Sequence, residues 1–163
     1  MNPKEPRYTR GDLSNAVTNL RPLMLGMWIR RGVLDVNDTA PGRGVRRLYS
    51  FSEALVIDIM AYLTLQDVSS SQAAAVGKAA SLEVEKIISK SGGLDYTKID
   101  EAEVEDIVWS YNSIGKLDYK LVHRSALSGY TKDYFQVLNY ISFAIRLYEA
   151  LETVREIRAR SGK

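Results

Sequence analysis

Pro22-Leu23-Met24-Leu25-Gly26-Met27-Trp28-Ile29-Arg30-Arg31-Gly32 is the stretch on which the fold turns. Proline suits a first helical position because its φ is already fixed there and its missing N–H is one that a helix leaves unpaired anyway. Leu23, Leu25, Met27, Trp28 and Ile29 then supply apolar residues through to Arg31, and Gly32 stops the helix. A large aromatic on so short a helix reads as core, so Trp28 is expected to be buried. Arg30 and Arg31 read two ways: as last-turn cations favoured by the helix dipole, or as ligands for an anion.

Working towards the N-terminus, Thr9 and Asp12 have capping-box spacing, with Leu13, Ala16 and Val17 forming the apolar face of a preceding helix. Only Thr18 to Arg21 separate the two helices, a tight turn of the length that helix-turn-helix units use. Working the other way, Asp35 to Gly44 is turn-rich and polar and reads as a loop or hairpin tip. Arg46-Arg47-Leu48-Tyr49 reads as its short return strand. Ser50 with Glu53 opens an apolar helix over Ala54 to Leu65, and Ser69 with Gln72 opens another over Ala73 to Ile88.

Ser91-Gly92-Gly93 is the clearest internal break and predicts a boundary between a first domain, residues 1–90, and a small α/β domain, residues 94–163. Asp100 to Asp106 is an acidic, helix-favouring run that reads as a solvated helix start. Ile107 to Tyr111 and Leu117 to Val122 are rich in β-branched and aromatic residues and predict a hairpin, with Tyr134 to Tyr140 as a third strand. The chain ends in a helical stripe, Ala144, Leu147, Leu151 and Val154, of which Leu147, Leu151 and Val154 form a candidate dimerisation seam. Burial of that stripe within its own domain is the competing reading.

Charge is unevenly spread. The whole chain carries +2, but up to Ser50 nine bases face four acids, and eight of the nine are arginine. This suggests an N-terminal half that binds a polyanion. Thiolate ligation and disulfides are excluded, since there is no cysteine, and the lone His123 reads as a surface or strand-end residue. No metal site and no cofactor is expected. Gly42-Arg43-Gly44 lacks the Lys-Ser/Thr ending of a phosphate-binding loop, and no nucleophile with a partnering base stands out, so an enzyme is not expected. Without a membrane-length apolar run or a signal-like N-terminus, a cytoplasmic, nucleoid-associated protein is the expectation.

The order Tyr8-Thr9, Pro22, Trp28-Ile29-Arg30-Arg31-Gly32-Val33-Leu34 and Gly44-Val45-Arg46-Arg47-Leu48-Tyr49-Ser50 resembles the MerR family of transcription regulators over roughly residues 8–90. The resemblance implies a mainly α winged helix-turn-helix, followed here by a small α+β domain with a terminal helix. It implies that Arg46 or Arg47 clamps a phosphate and that Tyr49 closes the wing against the core or touches the DNA backbone. Arg21 and Arg30 are the recognition-helix candidates, with Leu23 and Met24 offered to thymine methyl groups. Arg10, Arg31 and Arg43 complete the candidate DNA-binding set. Two departures stand out: the family commonly carries Arg where this chain has Gly26, and its long dimerising helix is replaced by Gly92-Gly93 and strands.

The expected function is sequence-specific binding of double-stranded DNA by a transcription regulator acting as a homodimer, with an unidentified small-molecule effector open for the second half. The alternatives are a phage or mobile-element DNA-recognition subunit of architectural type, and a protein-interaction module with a vestigial helix-turn-helix.

Overall fold

The computed structural model describes residues 2–35, 47–94, 105–111, 117–129 and 136–161. Within them the chain is mainly helical with two small antiparallel sheets. β1 (Tyr8–Thr9) leads into α1 (Arg10–Ala16) and α2 (Pro22–Arg30); β2 (Leu48–Tyr49) returns to pair with β1, Tyr8 opposite Tyr49. α3 (Phe51–Thr64) and α4 (Ser70–Ser91) follow. β3 (Glu105–Tyr111) lies between β4 (Leu117–His123) and β5 (Gln136–Leu138), and α5 (Tyr140–Arg160) closes the chain.

Local chemistry starts and stops these helices where the spacing predicts. Thr9 caps α1 and Ser50 caps α3, each in a reciprocal box with the carboxylate three residues on. Ser69 accepts the Gln72 N–H at the start of α4. α2 begins at Pro22 and is followed by Gly32 at φ +65°, a left-handed conformation that ends the helix without a Cβ penalty. The third strand ends at Leu138 rather than Tyr140 because Asn139 caps α5, accepting the Ser142 N–H at 3.0 Å; Tyr134, where it was expected to begin, lies outside the described residues. Glu105 and Asp106, read from sequence as part of a helical run, instead open β3; Asp106 is buried and receives a bidentate guanidinium from Arg124 at 3.0 and 3.2 Å. His123 ends β4 with most of its side chain exposed, 3.7 Å from Glu105.

α3 is the centre of the molecule. From Ala54 to Ala61 every residue is buried, so it is apolar all round and needs neighbours on every side. α4 covers one side so closely that a Cβ on Gly77 would meet the Val56 carbonyl oxygen at 3.1 Å and its Cα at 3.2 Å. Glycine therefore sits at 77 because backbone meets backbone there. α5 covers another side and also packs on α1.

The expected boundary at residues 91–93 ends α4 but does not divide the core. One apolar cluster joins Leu13, Trp28 and Leu55 of the first segment to Ile107, Leu147 and Leu151 of the second. The dimerisation seam is corrected by the same fact: Leu147 and Leu151 are 0% exposed within the single chain, and Val154 is half-buried. Helical periodicity reports that a stripe is covered, and here the chain's own helices cover it.

Polar side chains fasten α5 as well. Asp12 accepts from Arg158 at 2.6 Å, and Glu152 accepts from the Tyr8 hydroxyl at 3.0 Å and from Arg155 at 2.8 Å, with the Arg7 guanidinium 3.3 Å away. Burial is the largest influence on the Tyr8 phenol, which is pushed up to about 12 with help from its bond to Glu152. Deeper still, Asp58 of α3 pairs with Arg146, whose other nitrogen donates to Thr18 Oγ1 at 2.9 Å in the turn between α1 and α2. Asp58 is 1% exposed, and desolvation outweighs the guanidinium, raising its carboxyl from 3.8 to about 6.

Two outcomes follow. Leu147→Ala should lower unfolding free energy by about 2–5 kcal/mol in urea titration, and by the same amount at every protein concentration, as for a cavity inside one chain. A loss that grows with concentration would restore the intermolecular seam. For Asp58, the folded chain holds the proton more tightly than the unfolded one, so this stabilisation is complete below the ordinary value of 3.8 and fades as pH rises through about 6. The stability of the wild type relative to Asp58→Asn should therefore fall by about 2–3 kcal/mol between roughly pH 4 and roughly pH 7. A relative stability that rises with pH would mean that the ion pair outweighs desolvation.

Candidate nucleic-acid interface

α2 has an inner and an outer side. Leu25 and Trp28 are buried, Met24 and Ile29 pack partly against the core, and Trp28 Nε1 donates to Ser70 Oγ at 3.2 Å at the start of α4. At 100° per residue the opposite side carries Leu23, Gly26, Met27 and Arg30. Leu23 is 77% exposed, the largest exposure among the chain's exposed large hydrophobics in the described residues. The helix is thus held from behind by an indole and presents an aliphatic and a guanidinium side chain outwards.

The arginines around this side form a group. Arg21 is the α2 N-cap residue, with extended backbone and no side-chain capping bond, Arg30 lies in the last turn, and Arg31 is the C-cap. All three are exposed. Arg10, the exposed first residue of α1, donates from Nη2 to the Pro22 carbonyl oxygen of α2. Among the described residues none of these four makes an ion pair with a carboxylate. Arg7, Arg124, Arg146, Arg155, Arg158 and Arg160 are all paired with acids. Arginine is therefore divided among the described residues: one set pairs with carboxylates, and Arg10, Arg21, Arg30 and Arg31 do not.

The predicted wing residues fare differently. Arg43 and Arg46 lie outside the described residues. Arg47 is half-buried beside β2, and its charge acts on the Tyr49 phenol. Tyr49 itself is 3% exposed, so of its two expected roles burial supports closing β2 against the core rather than touching DNA. Burial raises its hydroxyl pKa, opposed by the charges of Arg47 and Arg10. Met24 is corrected in part, since it packs against the core while Leu23 takes the outer position.

Sequence reading missed the acids that α5 neutralises in the first half of the chain. Asp12 and Asp58 pair with residues 146 and 88 positions away. No local spacing signals such pairs. Both carboxylates are thereby engaged by guanidinium groups of α5.

No protein-family model matches the chain, and no curated protein matches it.

Proposed function

We propose that the chain binds double-stranded DNA through the outer side of α2, in the manner of a winged helix-turn-helix of MerR type, and serves as a regulator of transcription rather than an enzyme. The observation that carries this reading is the set Arg10, Arg21, Arg30 and Arg31, exposed around one short helix and unpaired with any described acid. A duplex backbone would supply the negative charge that no described acid gives these guanidinium groups. Their planar forks match phosphate oxygens and the paired acceptors on the guanine edge. Exposed Leu23 between them suits the thymine methyl in the major groove, whose width admits a helix. The short β1–β2 ladder, tied to the core through Tyr49, supports a wing emerging beside that helix.

So small a module reads few base pairs, and pairing of half-sites is the expected route to specificity. With Leu147 and Leu151 enclosed, the second copy would meet this one through a surface other than that seam.

The test is binding of labelled genomic fragments by the full chain at several salt concentrations. Wild type should bind at low salt with affinity falling steeply as salt rises. Arg21→Ala/Arg30→Ala/Arg31→Ala should weaken binding at least about 100-fold and reduce the slope of log affinity against log salt by about 2–3. Selection from a random pool should return a site with two-fold or direct repetition. Absence of wild-type binding at low salt overturns the proposal.

A further inference from the structure

Between α1 and α2 the chain turns through Thr18, Asn19 and Leu20, and its local bonding is thin. Asn19 has φ +67°, in the left-handed region that an L side chain enters only at a cost. The backbone bond across the turn, from the Leu20 N–H to the Val17 carbonyl oxygen, is long at 3.5 Å. A further tie comes from the far end of the chain: Arg146 Nη1 of α5 donates to Thr18 Oγ1 at 2.9 Å.

The other Nη of the same guanidinium is held by Asp58. α4 and α5 both pack on α3, yet among the described residues no charged group of either helix acts on the Asp58 carboxyl except Arg146. Asp12 of α1 is engaged by Arg158 instead. Arg146 pairs with no second described acid, and its guanidinium lies over the Phe143 ring, 5.3 Å from the centroid. The two partners are unequal in their access to water. Asp58 is sealed inside α3, whereas the Arg146 side chain is 43% exposed and one rotation from solvent.

We propose that Asp58, Arg146 and Thr18 form a proton-operated latch on the α1–α2 turn. With the carboxyl ionised, its charge holds Arg146 inward and the guanidinium holds Thr18. When the carboxyl takes a proton from solvent, the guanidinium withdraws to water and the turn is released. A bond between two charged groups is about twice as strong as one between neutral groups, so protonation removes much of what keeps Arg146 in place. The guanidinium stays charged throughout and regains its hydration by leaving. Because burial raises the carboxyl to about 6, the two states exchange close to neutrality and not in the range where proteins unfold in acid. The same proton also removes the cost of a buried charge, so the turn loosens while the core around α3 does not.

The latch is tested on the isotope-labelled full chain by amide NMR and hydrogen exchange from about pH 5 to about pH 7.5. The Thr18 and Asn19 amide signals should titrate with a midpoint near 6. Protection of the Val17 and Leu20 amides, corrected for intrinsic rates, should fall about tenfold towards the acid end, while amides in the middle of α3 keep theirs. Asp58→Asn and Arg146→Gln should each show the released turn at every pH, with no midpoint. Thr18→Val should loosen the turn at the alkaline end and leave the Asp58 carboxyl titrating, as followed by its own carbon signal. A residue that only packs gives no such pH profile. The latch is overturned if the turn signals do not titrate near 6 in wild type, if they titrate unchanged in Asp58→Asn, or if they titrate without loss of protection. Should Asp58→Asn not fold, Arg146→Gln decides: a turn that still titrates there overturns the latch.

Discussion

Asp58 is an ionisable group in the middle of a helix that is apolar on every side, and it is tolerable there only because Arg146 reaches it from α5. Taking a carboxylate out of water is expensive, and removing its one cation would leave that penalty uncompensated. The geometry of the pair therefore sets where α5 lies. Since the same guanidinium also holds Thr18, it ties three things at one point: the central helix, the terminal helix and the turn that sets α2 relative to α1. The apolar stripe of α5 provides the bulk of the burial, while this pair and the Asp12–Arg158 contact select one register for it.

This arrangement also organises charge. The first half of the chain is rich in arginine, but it carries acids too, and any of them facing α2 would dilute its field. α5 collects Asp12 and Asp58 on its own side, and its Glu152 takes up Arg7 together with Arg155. Around α2, Arg10, Arg21, Arg30 and Arg31 pair with no described carboxylate, although the chain as a whole carries only +2.

Helix ends were legible in the sequence because capping is local: Thr9 with Asp12, Ser50 with Glu53, and Pro22 with Gly32 act over three to ten residues. The burial of Trp28 and the exposure of Arg21, Arg30 and Arg31 followed from the amphipathic pattern of α2. What α5 packs against was not legible. A leucine stripe has the same period whether its cover is a second copy or the same chain, and only tertiary contact separates the two. The ion pairs were hidden for a related reason, since Asp58 and Arg146 are 88 residues apart. Glu105 and Asp106 show the limit of composition: acids that favour a helix start were drawn into a strand, where pairing with His123 and Val122 of β4 and the Arg124 fork outweigh local preference. At the site, Arg10 was legible only as a candidate DNA contact; its bond to the Pro22 carbonyl oxygen depends on how α1 meets α2.

The indole beneath α2 has a consequence of its own. Trp28 is sealed from water, hydrogen-bonded to Ser70 and placed directly behind the surface that bears Leu23 and Arg30. The chain's other tryptophan, Trp109, is in β3, so the two chromophores report on separate regions. Any shift of α2 against α4 must stretch or break the Trp28 bond and alter the polarity around the ring. The protein thus carries an intrinsic optical gauge of how α2 sits against α4, readable by ultraviolet emission without a dye.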